Sequence, residues 1–190
     1  MKNWIKFIGL TLVAFVALSF TNIDKKVIVI DAGHGGEDSG VKTHSITEKE
    51  ITLSIAQKIK KLNQNPDIEI ILIRNEDHYI PLGERAKKIN ALKPNLVISL
   101  HANQHKNKTK KGKEIIINDK NQSKDLALKL KTQLKDANII TSNRLHLLRN
   151  VEFPVALIEL GFLTNEEDKA LLTSEAGQRQ IAEMILKAIN

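Results

Sequence analysis

The run Lys26–Asp31 (KVIVID) constrains the fold more than any other stretch of the chain. Its consecutive β-branched residues, followed at once by the glycine-rich AGHGGEDSG, read as a short strand covered on both faces, the kind found inside parallel sheets. A helical pattern comes next. Over Thr47–Leu62, Ile51, Ile55, Ile59 and Leu62 recur at helical spacing, and Thr47 with Glu50 forms a capping box at the start. The alternation then continues, with strands predicted over Ile68–Ile73, Leu96–Leu100, Glu114–Asn118 and Val155–Leu160. Helices are predicted over Leu82–Leu92, Ser123–Lys135, Glu166–Leu172 and Ala176–Ile189. The class this predicts is α/β: a single three-layer domain over residues 26–190 with a mostly parallel twisted sheet flanked by helices.

Residues 1–19 read as an address rather than as fold. Lys2 and Lys6 give a positive start, and Phe7–Phe20 carries no charge, a length that suits the apolar core of a secretory signal better than a bilayer span. Ala17 and Ser19 form a small-x-small pattern, so cleavage after Ser19 is expected, with an uncleaved membrane anchor as the alternative. Export places the protein in the periplasm or at the cell wall. The chain holds 29 Lys and Arg against 22 Asp and Glu, a net charge of +7, and removing Lys2 and Lys6 leaves +5. A basic exported protein suits an anionic polymer, and export argues against nucleic acid as the partner. Membrane contact is expected only if the segment stays attached. The basic stretch Asn103–Lys113 reads as a solvated loop.

Cysteine is absent, which excludes a disulfide framework, a thiolate metal site and a Cys nucleophile. Any metal must be held by His and carboxylate. Three such residues stand where predicted strands run out: His34 after the first, His101 after the third, and Glu159 near the end of VALIEL. In open α/β sheets the ligand crevice lies beyond the carboxyl ends of the strands, so the three are expected to converge there. Glu48 opens the helix after the first strand and lies over the same crevice, while its neighbour Glu50 is occupied by the capping box. For two imidazoles and a carboxylate the natural metal is Zn²⁺, with a fourth position left to water. Glu159, set among Leu157, Ile158 and Leu160, has no evident structural partner, so its burial is costly unless a charge lies nearby. Asp31 is expected to accept the second ring N–H of a ligand His and fix its tautomer. His44, His78, His105 and His146 read as surface residues. Gly33, Gly35, Gly36 and Gly40 match neither common phosphate-loop pattern.

The blocks VIVIDAGHGGEDSG, TEKEITLSIAQKI, ILIRNEDHYIPLGERAKKIN, LVISLHAN and FPVALIELGFLTNEED occur in this order, and together they resemble the zinc-dependent N-acetylmuramoyl-L-alanine amidases of the amidase 3 family over Lys26–Asn190. The resemblance implies that His34, Glu48 and His101 are the Zn²⁺ ligands, settling Glu48 over Glu50, and that Glu159 is the catalytic carboxylate. It further implies peptidoglycan as the substrate, cut at the amide between N-acetylmuramic acid and L-alanine. The stretch from His101 to Glu114 lacks the long inserted helix that some relatives use to block the metal, so activity without an activator protein is expected. Thr141–Phe153 is shorter than the usual family pattern. Within it, Arg144 is a candidate contact for a stem-peptide carboxylate. Two other readings stay open: a non-catalytic wall-binding module, and a zinc hydrolase directed at another bond, as in a peptidase or sugar deacetylase.

Overall fold

The computed structural model describes residues 25–43 and 46–190. The expected signal segment lies outside them, and among the described residues no helix is long and apolar enough to cross a membrane. Strand β1 is Lys26–Ala32, followed by the two-residue strands β2 (Lys42–Thr43) and β3 (Ile46–Thr47), then helix α1 (Glu48–Leu62). Next come β4 (Ile68–Leu72), α2 (Leu82–Leu92), β5 (Leu96–Asn103), β6 (Lys113–Ile117), α3 (Asn121–Gln133), β7 (Ala137–Thr141) and α4 (His146–Asn150). Strand β8 (Val155–Phe162) and helices α5 (Glu166–Thr173) and α6 (Glu175–Ile189) complete the chain.

Six strands make one sheet in the order β4-β1-β5-β8-β6-β7, and β2 pairs with β3 apart from it. All its pairings are parallel except β6 against β8. The period of two along each strand sorts side chains onto two covered faces. Ile28, Ile30, Ile98, Leu100 and Ile158 pack under α1, α3 and α6, joining Ile55, Leu130 and Ile185. Val29, Val97, Val155 and Leu157 face the other way and pack with Ala86 and Ile89 of α2 and with Leu147 and Leu148 of α4. The arrangement is the predicted three-layer α/β domain. The register continues the α2/α4 face outward to the site, because Asp31 stands opposite Ser99 and His101 opposite Glu159.

Besides the two-residue strands β2 and β3, too short to show any alternation, two elements escape the sequence reading, for physical reasons. Strand β7 lies at the sheet edge with only Ala137 buried, so its side chains show no alternation. Helix α4 is five residues long, too short to display a helical period. Strand β5 also runs three residues past Leu100, so that His101 lies inside the strand rather than beyond it.

Candidate active site

The capping box opening α1 forms as expected: the Thr47 backbone N–H and hydroxyl both donate to Glu50 Oε2. That cap leaves the preceding first-turn carboxylate, Glu48, pointing inward and only 3% exposed. Its Oε2 accepts the backbone N–H of Val41 at 2.8 Å, and its Oε1 accepts that of Ala102 at 2.9 Å. The same Oε1 lies 3.0 Å from His34 Nε2 and 2.9 Å from His101 Nδ1. One donor atom from each of His34, Glu48 and His101 falls within 4.8 Å of the others. Burial pushes the Glu48 carboxyl upward, but the hydrogen bonds from the two imidazoles outweigh it and hold the group well below the usual carboxylate range.

Glycines make this approach possible. A Cβ on Gly33 would stand 2.5 Å from His101 Cε1, and one on Gly40, whose φ is +61°, would press into Glu48 Oε2 and the His34 ring. The glycine loop is thus shaped around imidazole and carboxylate, not phosphate.

Asp38, four residues on, takes the Nδ1 side of the His34 ring. The loop doubles back through a Gly35–Asp38 bridge, and Asp38 Oδ2 lies 2.8 Å from His34 Nδ1, leaving Nε2 to face Glu48. Burial pulls the His34 imidazole down, yet the carboxylates of Glu48 and Asp38 prevail and raise it above its ordinary value. The expectation that Asp31 orients a ligand His is corrected here. Asp31 Oδ1 pairs with Arg85 Nη1 at 2.7 Å and its Oδ2 accepts the Ser99 hydroxyl at 2.8 Å, both within the buried α2/α4 face. By His34 the chain has turned through φ +60°, which carries the ring away from Asp31 and toward Asp38 and Glu48. A carboxylate four residues after a His, across a glycine turn, is the signal in the sequence that marks Asp38.

Glu159 enters from β8, flanked in register by His101 on β5 and by Glu114 on β6. Its Oε2 is buried and finds no hydrogen-bond partner among the described residues. Burial pushes the carboxyl up to about 7; the His101 and His34 imidazoles pull against this and the carboxylates of Glu48 and Glu114 add to it.

A cleft of about 300 Å³ opens beside His34 and His101. Tyr79, Ile80 and Leu82 line one part of it, and Leu145, His146 and Leu147 another. Helix α4 therefore builds a wall from the Thr141–Phe153 stretch, and His146 lines the cleft, where a surface position was expected. His105 is exposed and His78 partly so, while His44 lies outside the described residues. Arg144 is exposed, one residue before this wall. Residues 104–112 between β5 and β6 form a loop without a helix.

A sequence profile described as N-acetylmuramoyl-L-alanine amidase matches residues 28–190. Over 180 residues the chain is 32% identical to the uncharacterized protein YqiI of Bacillus subtilis, covering 88% of this chain and 85% of that one. It is also 32% identical to the endolysin of Bacillus phage SPP1, covering 83% of this chain and 62% of the endolysin. Among solved structures, the catalytic domain of CwlV, an N-acetylmuramoyl-L-alanine amidase from Bacillus (Paenibacillus) polymyxa var. colistinus, superposes with a TM-score of 0.81 at 34% identity. The match covers 86% of this chain and 96% of that domain. The CwlD amidase of Clostridioides difficile, solved in complex with the GerS lipoprotein, gives a TM-score of 0.82 at 29% identity, covering 87% and 96%. The profile spans both covered faces of the sheet and every residue of the His34, Glu48, His101 and Glu159 cluster, and the chain belongs to the N-acetylmuramoyl-L-alanine amidase family.

Proposed function

We propose that this chain hydrolyses the amide between N-acetylmuramic acid and L-alanine in peptidoglycan, using Zn²⁺ held by His34, Glu48 and His101, with Glu159 as the proton-transfer group. The observation that carries the reading is the convergence of two imidazoles on one buried carboxylate, beside a second carboxylate left without a partner. The donor set fits the metal. Two imidazoles and a carboxylate, with one donor atom from each within 4.8 Å of the others, are the nitrogen and oxygen ligands that Zn²⁺ takes, leaving a position for water. A cation there also answers the burial of Glu48, which is costly for an uncompensated charge.

When bound, Zn²⁺ supplies Lewis acidity, polarising the scissile carbonyl and making water acidic enough to ionise near neutral pH. The protein's own groups do the rest. Asp38 holds the His34 ring with Nε2 inward, and Glu48 fixes both imidazoles about one oxygen atom. Glu159 accepts a proton from the attacking water as the C–O bond forms, then delivers it to the alanine nitrogen as the C–N bond breaks. The cleft walled by Tyr79, Leu82, Leu145 and Leu147 offers apolar contacts that suit the methyl-bearing lactyl-alanyl segment of the substrate. Arg144, beside the Leu145 wall, pairs with a stem-peptide carboxylate. Export to the wall, with residues 1–19 as the signal or anchor, brings the enzyme to its substrate.

Incubating the purified protein with peptidoglycan sacculi, without any added partner, tests the assignment. Soluble stem peptides bearing a free L-alanine amine are expected, since no helix lies between β5 and β6 to cover the site. Released acetate, internally trimmed peptides or undigested sacculi would refute it. A second expectation concerns acid. Because its carboxylate neighbours raise the His34 imidazole in the metal-free protein, protons compete with Zn²⁺ at Nε2 at a higher pH than they would at an ordinary imidazole. Chelator competition at pH 7.5, 6.5 and 5.5 should show affinity falling at each step, and a flat profile would contradict the ligand role of His34.

A further inference from the structure

Behind the cluster sit two buried arginines that the reaction itself does not use. Arg74 is 1% exposed and Arg85 3%. Arg85 pairs with Asp31, but Arg74 meets no carboxylate within ion-pair distance among the described residues. It is surrounded instead by oxygen dipoles. Its Nε donates to the Ala32 carbonyl at 2.9 Å, and its Nη1 to that of Glu76 at 3.3 Å. Its Nη2 donates to the carbonyls of Gly33 at 2.9 Å and Lys49 at 2.8 Å, and to the Thr52 hydroxyl at 3.2 Å. Arg85 closes from the other side, its Nη1 donating to the Ala32 carbonyl at 2.7 Å and its Nη2 to that of His34.

A buried guanidinium with no carboxylate paired to it directly is expensive, and a fold retains one when its hydrogen bonds hold something in place. What these bonds hold is specific. Ala32, Gly33 and His34 form the end of β1 and the turn that throws the first imidazole into the site, and Lys49 follows Glu48 in the first turn of α1. Arg74 thus ties the backbone that carries His34 to the backbone that carries Glu48. The tie bears on a strained point, since His34 has φ +60°, a conformation that an L residue adopts at a cost and keeps only when its surroundings impose it.

We infer that Arg74, assisted by Arg85, is a positioning residue for the metal centre: it sets the spacing between His34 and Glu48 by clamping the carbonyls behind them. The inference rests on the metal-binding reading above and adds that affinity is governed from outside the ligand set. Arg74→Met keeps most of the buried stem and removes the fork. Arg74→Lys keeps a charge that reaches fewer carbonyls. Both are compared with the parent and with Leu130→Ala, a core truncation on α3, which packs mainly on β6, β7, β8 and α6 and lowers stability away from the arginines. Zn²⁺ affinity is measured by chelator competition, the visible absorption of the Co²⁺-loaded protein reports ligand geometry, and Tm reports stability.

The expected result is a loss of Zn²⁺ affinity of about 10- to 100-fold in Arg74→Met and a smaller loss in Arg74→Lys, each with an altered Co²⁺ spectrum. Leu130→Ala should lower Tm and leave affinity and spectrum as in the parent. If both Arg74 variants bind Zn²⁺ as the parent does with an unchanged spectrum, or if Leu130→Ala loses as much affinity as they do, the clamp is merely structural and the inference is overturned. Should Arg74→Met fail to fold, Arg74→Lys decides by the same criteria. A parent that binds no metal at all would instead overturn the function proposed above, a distinguishable failure.

Discussion

Glu159→Gln is expected to fold and take up Zn²⁺ as the parent does, and to release stem peptides roughly 10² to 10⁴ times more slowly, the usual worth of a positioned acid–base group. The amide is nearly the same size as the carboxylate, so β8 keeps its register against His101 and Glu114. What disappears is a carboxyl that burial raises to about 7 in the metal-free protein, and with it the capacity to accept and return a proton. Because Glu159 is not among the three converging donors, metal content should not change. Turnover measured on sacculi alongside zinc content checks both halves. A variant that kept near-parental turnover would remove Glu159 from the chemistry, and one that lost its zinc would make it a ligand.

His34→Ala is expected to lose both metal and activity. The substitution removes one of three donors, so affinity should fall by more than the roughly 10- to 100-fold that an outer-shell change costs. It also strips Glu48 Oε1 of a partner 3.0 Å away while leaving that carboxylate buried. Backbone strain changes little, because alanine at φ +60° pays a penalty of about 1–2 kcal/mol that histidine already pays there. His34→Gly relieves that strain, so any loss of metal in it cannot be blamed on the backbone. If the glycine variant also loses metal and turnover, the imidazole is responsible. If it retains both, His34 serves the loop and not the metal.

The contrast between these variants mirrors what the amino-acid order reveals. Unbroken apolar runs such as KVIVID and VALIEL mark strands covered on both faces, and polar residues at the ends of such strands mark the site, which is how His34, His101 and Glu159 stand out. The capping box at Thr47 and Glu50 leaves Glu48 free to turn inward, a local rule that the structure repeats. Features that depend on where distant segments meet are not legible in this way. Asp31 sits close to His34 in sequence yet spends both oxygens on Arg85 and Ser99, because strand alternation sends it to the α2/α4 face before the chain turns. Arg74 and Arg85 act on carbonyls 42 and 53 residues away, and no periodicity announces a guanidinium aimed at a backbone. His146 reaches the cleft only because the short helix α4 folds against the sheet, and a helix of that length leaves no pattern to read.

Metal content and its reversal test the central claim most directly. Protein purified without added metal, assayed for zinc, stripped by a chelator and then given back one equivalent of Zn²⁺, should lose release of stem peptides on stripping and regain it on return, with one ion bound per chain. Full turnover in the stripped protein, or zinc that binds equally well when His34 and His101 are both replaced, would contradict the account.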